Sequence, residues 1–249
     1  MIIIKTKEEV EHLRESNQIV AHILNDLRKI VQPGITTREL DEYAEKKIKE
    51  NVAIPAFKGY RNFPASLCVS INEQIVHGIP GPRRLKEGDI VSIDLGVIRN
   101  GFYGDAAITV PVGKISEEAA KLLDVTQKAL YKGIELARAG QRLYDISHAI
   151  QTWVEGQSFS VVRDFVGHGI GRDLHEEPQI PNFGKPNRGV KLRAGMVMAL
   201  EPMVNVGTWK VRVESDGWTA VTADKSLSAH FEHTIAITEN GPDILTLIH

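Results

Sequence analysis

The 249-residue sequence contains one cysteine, Cys68, and its aromatic content is only 6%. A single cysteine excludes an intrachain disulfide and any zinc module built from several cysteines. The opening Met-Ile-Ile-Ile is too short for the apolar core of a signal peptide, and no later apolar run has transmembrane length. We therefore expect a cytoplasmic protein in which any metal is held by oxygen and imidazole ligands.

The sequence also lacks a strong excess of charge of either sign. Its formal net charge is -2, with acidic and basic residues interspersed, so neither a nucleic-acid partner nor an anionic membrane is indicated. A hydrophobic fraction of 42% and a charged fraction of 25% are typical of a globular protein with one substantial core. We expect a single domain spanning 1–249, or two tightly joined halves.

Helix and strand patterns occur in the same order twice along the chain. The predicted helices cover residues 7–31, 36–50, 116–138 and 144–157, the first two beginning with capping boxes. The predicted strands lie in SLCVSIN, in a hairpin around Asn100-Gly101, and in FSVVRDFVG, GMVMALEP, WKVRVESDGWTAVTA and AHFEHTIAIT. This order predicts an α+β protein with a pseudo-twofold axis, halves of about 1–112 and 113–249, and a sheet covered on one side by helices.

The stretch SIDLGVIRNGFYGD places one aspartate in each arm of the predicted hairpin. A two-residue Asn-Gly loop pairs Arg99 with Phe102 and puts Asp94 and Asp105 on one face, roughly 7–8 Å apart. A three-residue loop would put them on opposite faces. Alternatively, Asp94 caps another element and Asp105 simply follows a turn glycine. Two like charges on one apolar face are better explained by a neutralising cation.

Three further segments place acids or histidines within apolar patterns. Glu201 ends the run GMVMALE, Glu232 opens a strand of alternating apolar residues, and GHGIGRDLHEEP contains His168 and His175. Acids are rarely buried without a partner or a metal, so these segments favour one shared site. Two aspartates, two glutamates and one histidine form a hard ligand set suited to two divalent ions.

In order and spacing, VHGIP, the two aspartates, GHGIGRDLHEEP, LEPM and FEHT resemble the type I methionine aminopeptidases over essentially the whole chain. The resemblance implies the pita-bread fold and removal of N-terminal methionine from nascent proteins and peptides when the second residue is small. It implies two divalent ions, Co, Mn, Fe or Zn, with Asp105 and Glu232 bridging them. The implied metal ligands are Asp94, Asp105, His168, Glu201 and Glu232.

The resemblance also implies catalytic and substrate-binding roles. Two metals would activate a water or hydroxide to attack the scissile carbonyl, while Glu201 would accept a proton and pass it to the leaving amine. His77 and His175 would contact the substrate and stabilise the tetrahedral intermediate. The pocket for the methionine side chain, whose sulfur favours aromatic contacts, would comprise Phe57, Tyr60, Phe63, Cys68 and Trp218.

Two positions depart from the family pattern. Leu174 stands where an aromatic residue is common and His230 where glutamine is usual, so we expect looser side-chain selectivity with unchanged metal chemistry. Taken alone, His77 is also compatible with a turn histidine and Cys68 with a core cysteine. The glycines of GHGIG do not have the spacing of a dinucleotide-binding loop.

Two other functions compete with this interpretation. A proline-specific peptidase of the same fold usually carries a large additional N-terminal domain, whereas about sixty residues precede SLCVSIN. A non-catalytic peptide-binding module would have lost metal ligands, and all five are present. We expect a monomer that acts on the N-terminal segments of nascent polypeptides near the ribosome, without docking through a zinc finger.

Overall fold

Residues 1–248, which the computed structural model describes, contain four α-helices, one short 3-10 helix and fifteen β-strands. The helices are α1 (Lys7–Ile30), α2 (Thr37–Glu50), α3 (Glu117–Leu136) and α4 (Leu143–Glu155), and the 3-10 helix is Tyr60–Asn62. The strands are β1 (Ile54–Pro55), β2 (Leu67–Ile71), β3 (Gln74–Val76), β4 (Ile90–Arg99), β5 (Phe102–Pro111), β6 (Ser160–Val161), β7 (Gly167–Gly169), β8 (Glu176–Ile180), β9 (Val197–Leu200), β10 (Met203–Asn205), β11 (Val211–Val213), β12 (Ala220–Thr222), β13 (Ser228–His230), β14 (His233–Thr238) and β15 (Gly241–Ile244).

Capping residues start the first two helices where the sequence predicts. The Thr6 hydroxyl accepts the N–H of Glu9 at 3.2 Å, and the Glu9 carboxylate accepts the N–H of Thr6 at 3.0 Å. Thr36 and Glu39 form the same reciprocal pair before α2. Both predicted capping boxes are confirmed, because these contacts depend only on residues three apart. Helices α3 and α4 each end two residues before the predicted boundary.

The hairpin of β4 and β5 has the predicted two-residue loop. Asn100 and Gly101 both have positive φ, and Arg99 pairs with Phe102, which matches the twist of the flanking strands. In this register Asp94 faces Ala107. Because side chains alternate across a strand, Asp94 and Asp105 share one face, as predicted. Strand β4 also pairs antiparallel with β1 and β2.

The remaining strands form three antiparallel sheets whose breaks the sequence did not predict. Their orders are β15-β14-β9-β7-β8, β13-β10-β6 and β11-β12-β3. The prediction of one strand over FSVVRDFVG is wrong in its middle, because the chain leaves β6 after Val161 and joins another sheet at β7. The segment AHFEHTIAIT is likewise interrupted. Glu232 lies between β13 and β14, where its N–H donates to the Ala107 carbonyl of the hairpin.

Two large hydrophobic clusters fill the space between helices and sheets. One lies beneath α1 and α2 against β2, β4 and β5, and the other beneath α3 and α4 against strands of the second half. Ile108 of β5 packs against both clusters, so the hairpin is their common wall. Among the helices in the described part of the chain, none is long and apolar enough to cross a membrane.

Candidate functional site

A cavity of about 140 Å³ opens beside the face of the hairpin that carries the aspartates. That volume is below the roughly 300–1,000 Å³ of pockets for drug-sized ligands, so its enclosed part suits one amino-acid side chain. All twelve residues predicted as metal ligands, catalytic groups or pocket residues line it, together with Arg61 and Leu174. The full lining is Phe57, Tyr60, Arg61, Phe63, Cys68, His77, Asp94, Asp105, His168, Leu174, His175, Glu201, Trp218 and Glu232.

Asp105 is held from two sides by elements distant in sequence. The side chain of Asn17 in α1 accepts the Asp105 N–H at 3.1 Å, and the Thr234 hydroxyl in β14 donates to the Asp105 carbonyl at 2.7 Å. Helix α1 approaches this closely because Gly104 has no side chain. A Cβ there would lie 2.6 Å from the Ser16 carbonyl carbon. Helix packing therefore places one carboxylate of the site.

His168 presents one ring nitrogen to the acids. Its Nδ1 contacts the Gly169 carbonyl at 2.9 Å, which identifies Nδ1 as the protonated nitrogen and leaves a lone pair on Nε2. That Nε2 lies 3.8 Å from Asp105 Oδ2 and 3.6 Å from Glu201 Oε1. Ligand atoms of Asp105, His168 and Glu232 all lie within 4.8 Å of one another. This arrangement can hold a metal ion.

The surroundings of the four cavity acids favour the protonated, neutral form of each carboxyl group. Burial raises the pKa of Asp94, Asp105, Glu201 and Glu232, and the neighbouring carboxylates raise the pKa of Asp105 further. Burial also lowers the pKa of His168 to about 4, so the imidazole is neutral near pH 7. No lysine or arginine of the described residues is paired with these four acids.

Several buried oxygens of these acids have no hydrogen-bond partner within residues 1–248, namely Asp94 Oδ1, Asp105 Oδ1 and Glu232 Oε1. A buried polar atom without a partner costs about 1–3 kcal/mol, more if charged. Divalent cations would bind the unpartnered carboxylate oxygens and would also supply positive charge to balance the acids. The residues present therefore fit a divalent metal site.

The rest of the cavity lining is largely apolar. Phe63 and Trp218 meet edge to face at 5.1 Å, and Phe57 packs over Gly96, where a Cβ would lie 2.6 Å from the Phe57 ring. Cys68 is paired with Asp94 across β2 and β4. Burial and the nearby acids raise the pKa of its thiol well above the usual value. Because the thiolate is the nucleophilic form, the structure gives no support to a cysteine mechanism.

The two other predicted histidines, His77 and His175, also line the cavity. Burial lowers the pKa of His77 to about 4, and its ring lies 6.2 Å from that of Trp218. The ring of His175 lies 4.3 Å from the ring of His168. The Tyr60 hydroxyl lies 2.8 Å from His175 Nδ1. In the tautomer that accepts from Tyr60, His175 carries its proton on Nε2, which is then free to donate a hydrogen bond.

The sequence analysis did not predict Arg61 or Asn17, and it noted His230 only as a departure from the family pattern. Arg61 has φ of 49° and lines the cavity beside Tyr60, and this position next to a predicted pocket residue was the available signal. Asn17 carried no signal, since its partner Asp105 is 88 residues away. His230 does not line the cavity. Its Nε2 lies 3.8 Å from Glu201 Oε2 and 3.9 Å from Glu232 Oε2.

Comparison with known proteins gives concordant matches. The model of metallopeptidase family M24 matches residues 11–239. Methionine aminopeptidase 1 of Bacillus subtilis is 58% identical over 248 residues, covering 100% of both chains. A methionine aminopeptidase structure from Thermotoga maritima superposes with a TM-score of 0.98 at 51% identity, covering 99% of each chain. The prolidase of Pyrococcus furiosus has a TM-score of 0.81 and 25% identity, with 99% of this chain and 66% of that chain covered.

Proposed function

Because the chain belongs to metallopeptidase family M24 and is 58% and 51% identical to two methionine aminopeptidases, we propose that its cavity removes N-terminal methionine from peptides. It has the pita-bread fold shared by these enzymes and the prolidases. We further propose that the chain acts as one catalytic domain composed of two pseudo-repeat halves. The substrate would be the N-terminal segment of a nascent polypeptide, met in the cytoplasm near the ribosome by a monomer.

One observation carries this proposal: four acids, three of them with a buried oxygen that has no hydrogen-bond partner within residues 1–248, line the same small cavity as an apolar pocket. The acids and His168 can hold cations, while the apolar wall can take an unbranched side chain such as methionine. Because these groups adjoin, a side chain in the apolar part would bring its own peptide bond beside the acids. A peptide-binding module would gain nothing from keeping such a costly cluster of carboxylates.

The proposed ligands are Asp94, Asp105, His168, Glu201 and Glu232, with Asp105 and Glu232 shared between two ions. Bound divalent cations would polarise the scissile carbonyl and lower the pKa of a water. Glu201 would take the proton of the attacking water and deliver it to the leaving amine. His175, oriented by Tyr60, would donate from Nε2 to the carbonyl oxygen as negative charge develops there.

Selectivity would arise at both ends of the scissile bond. Phe57, Phe63 and Trp218 would contact the methionine side chain, with His77 at the edge of Trp218. Leu174 also lines this wall, and a leucine leaves more space than the aromatic residue common in the family. We therefore propose that norleucine or leucine is accepted more readily at the first position. For the second position we propose a preference for small residues.

The proposal is tested with protein stripped by chelator and reloaded with Mn, Fe, Co or Zn singly. We expect the stripped protein to be inactive and the reloaded protein to release methionine from Met-Ala-Ser and Met-Gly-Ser, but poorly from Met-Lys-Ser. Elemental analysis should be run on every sample. Full activity in metal-free protein would refute the metal mechanism.

Xaa-Pro dipeptides should be included in the same assay. Prolidases share the fold, so rapid cleavage of Xaa-Pro with no release of methionine from Met-Ala-Ser would identify a proline-specific peptidase instead. The identity to the prolidase, 25%, is lower than the 51% and 58% to the two methionine aminopeptidases. This difference favours release of methionine over cleavage of Xaa-Pro.

A further inference from the structure

A buried ion pair joins the N-terminal segment to the strand that follows His175. The ammonium of Lys5 directly contacts the Glu176 carboxylate, and the two side chains are only 3% and 5% exposed. The other lysine and arginine ion pairs in residues 1–248 have partners that are more than a fifth exposed. The Lys5 N–H also donates to the Gly195 carbonyl at 2.7 Å. Backbone and side chain together therefore fix Lys5.

Glu176 is adjacent to His175 in sequence and to the backbone beside His168 in the sheet. It is paired across β7 and β8 with Gly169, the residue that follows His168, and its preceding neighbour is His175. Successive side chains of extended chain point in opposite directions. Accordingly, His175 lines the cavity, while the side chain of Glu176 points away from it and contacts Lys5. Lys5 does not line the cavity.

The same carboxylate also fixes the loop leading to His175. Glu176 Oε1 accepts the Arg172 N–H at 3.0 Å, and the Gly171 carbonyl accepts the Tyr103 N–H at 2.9 Å. Gly171 packs directly on the ion pair. A Cβ at Gly171 would lie 2.3 Å from Glu176 Oε1 and 2.5 Å from Lys5 Cε. The backbone from Gly171 to Glu176 is therefore held at both ends.

Stability alone does not account for this pair. A buried ion pair pays a large desolvation cost, and apolar residues of similar volume are often at least as stabilising. The side chain of His175, by contrast, has a single hydrogen bond within residues 1–248, the contact with Tyr60. Such a contact leaves its backbone free to shift, and an error of about 1 Å at a reacting group costs roughly 100-fold in rate.

We propose that Lys5 and Glu176 are positioning residues that hold His175 where it can donate to the substrate carbonyl. This inference rests on the proposed function, since it assigns His175 the role given there. Neither residue touches the cavity, so each acts through the backbone of the loop between Gly171 and His175. The N-terminal segment of the chain thereby becomes part of the catalytic apparatus.

The test replaces both charges at once, with Lys5→Met and Glu176→Met in one protein, which avoids leaving a lone buried charge. We expect thermal stability, metal content and KM near those of the unaltered protein. The value of kcat should fall about ten- to hundredfold, which is no more than the loss of about 10²–10³ typical when a transition-state donor is removed altogether. The matched control is the exposed pair on α3, Lys128→Gln with Asp124→Asn, which should leave kcat unchanged.

A second readout does not depend on turnover. In protein with ¹⁵N-labelled histidine, assigned with His175→Asn, the double variant should shift or broaden the His175 ring resonances while those of exposed His22 stay in place. Gly171→Ala keeps both charges but crowds them, and it should lower kcat in the same direction. Gly171→Ala also provides the test of the proposal if the double variant does not fold.

A folded double variant with unchanged kcat and unchanged His175 resonances would overturn the inference, as would equal kcat losses in the exposed control. If the double variant is unfolded, normal kcat in Gly171→Ala overturns it instead. An unaltered protein that never releases methionine would refute the proposed function, and the His175 resonances would still decide the positioning role.

Discussion

At the scale of single residues, the main property of the cavity acids is that they lie close together away from solvent. Asp105 is 4% exposed, its backbone is fixed on both sides, and one of its oxygens has no partner within residues 1–248. His230 Nε2 lies 3.8 Å from a carboxylate oxygen of Glu201 and 3.9 Å from one of Glu232. Each acid therefore needs a cation more than an ordinary surface acid does.

Replacing Asp105 with asparagine removes a proposed shared ligand without changing its volume. We expect Asp105→Asn to lower metal affinity at least as much as the 10–100-fold typical of residues that only support a ligand. Titration calorimetry on metal-free protein measures this directly. Cys68→Ser is the control, because its thiol is buried beside Asp94 with a raised pKa. Equal losses of metal in both variants would contradict the ligand assignment.

The two histidines that face each other at 4.3 Å should respond differently to truncation. His175→Ala should keep its metal and bind substrate nearly normally, with kcat lower by about 10²–10³-fold, because its donor acts in the transition state. His168→Ala should lose metal. Elemental analysis paired with steady-state kinetics separates the two effects, and a metal-depleted His175→Ala with a fully loaded His168→Ala would exchange the two roles.

At the scale of secondary-structure elements, α1 against β5 is the contact that shapes the site. The helix backbone at Ser16 and Asn17 lies within 3 Å of the Cβ that a residue at Gly104 would carry. The Ser16 hydroxyl donates to the Phe102 carbonyl at 2.9 Å, and Asn17 holds Asp105. This close packing makes the position of Asp105 depend on a helix that contributes no residue to the cavity lining.

Gly104→Ala should therefore separate α1 from β5. Overpacking of this kind costs about 1–3 kcal/mol of unfolding free energy, because two stretches of backbone must move apart. Urea unfolding measures that cost. Gly81→Ala is the matched control, since a Cβ there meets nothing within 4 Å. We also expect Gly104→Ala to bind metal more weakly, and a variant as stable as the control would contradict the packing argument.

At the scale of the whole molecule, hydrogen bonds between residues distant in sequence join separate elements. His233 of β14 illustrates this, since its Nδ1 contacts the Thr246 hydroxyl at 2.7 Å and its Nε2 lies 3.3 Å from the Tyr131 hydroxyl of α3. Burial lowers the pKa of His233 to about 4. The neutral ring thus joins a helix, a strand and the C-terminal segment.

This lowered pKa predicts a stability effect with a definite sign. The unfolded chain takes up the proton near pH 6.5 and the folded chain only near pH 4, so the contribution of His233 is lost as pH falls through this window. The difference in unfolding free energy between the unaltered protein and His233→Gln should shrink by about 1–2 kcal/mol from pH 7.5 to pH 5.

Urea unfolding in the presence of chelator keeps metal release out of that comparison, and exposed His22→Gln controls for the substitution itself. A difference between the unaltered protein and His233→Gln that stays constant with pH would contradict the buried neutral ring.

The sequence by itself determined the features that depend on near neighbours. Thr6 with Glu9 and Thr36 with Glu39 act over three residues, and Asn100-Gly101 sets the hairpin register that puts two aspartates on one face. The motifs also predicted the family, which is shown by a family match over residues 11–239 and by a relative that is 58% identical over the whole chain. The roles of individual cavity residues stay predictions.

Only the tertiary structure decided which distant groups meet. Lys5 reaches Glu176 across 171 residues and Asn17 reaches Asp105 across 88, and no local pattern marks either pair. The strand breaks before Arg163 and at Glu232 likewise arise where the chain passes from one sheet to another. Their common physical reason is that burial, unlike capping or turn formation, depends on every element packed around a residue and not on its neighbours in sequence.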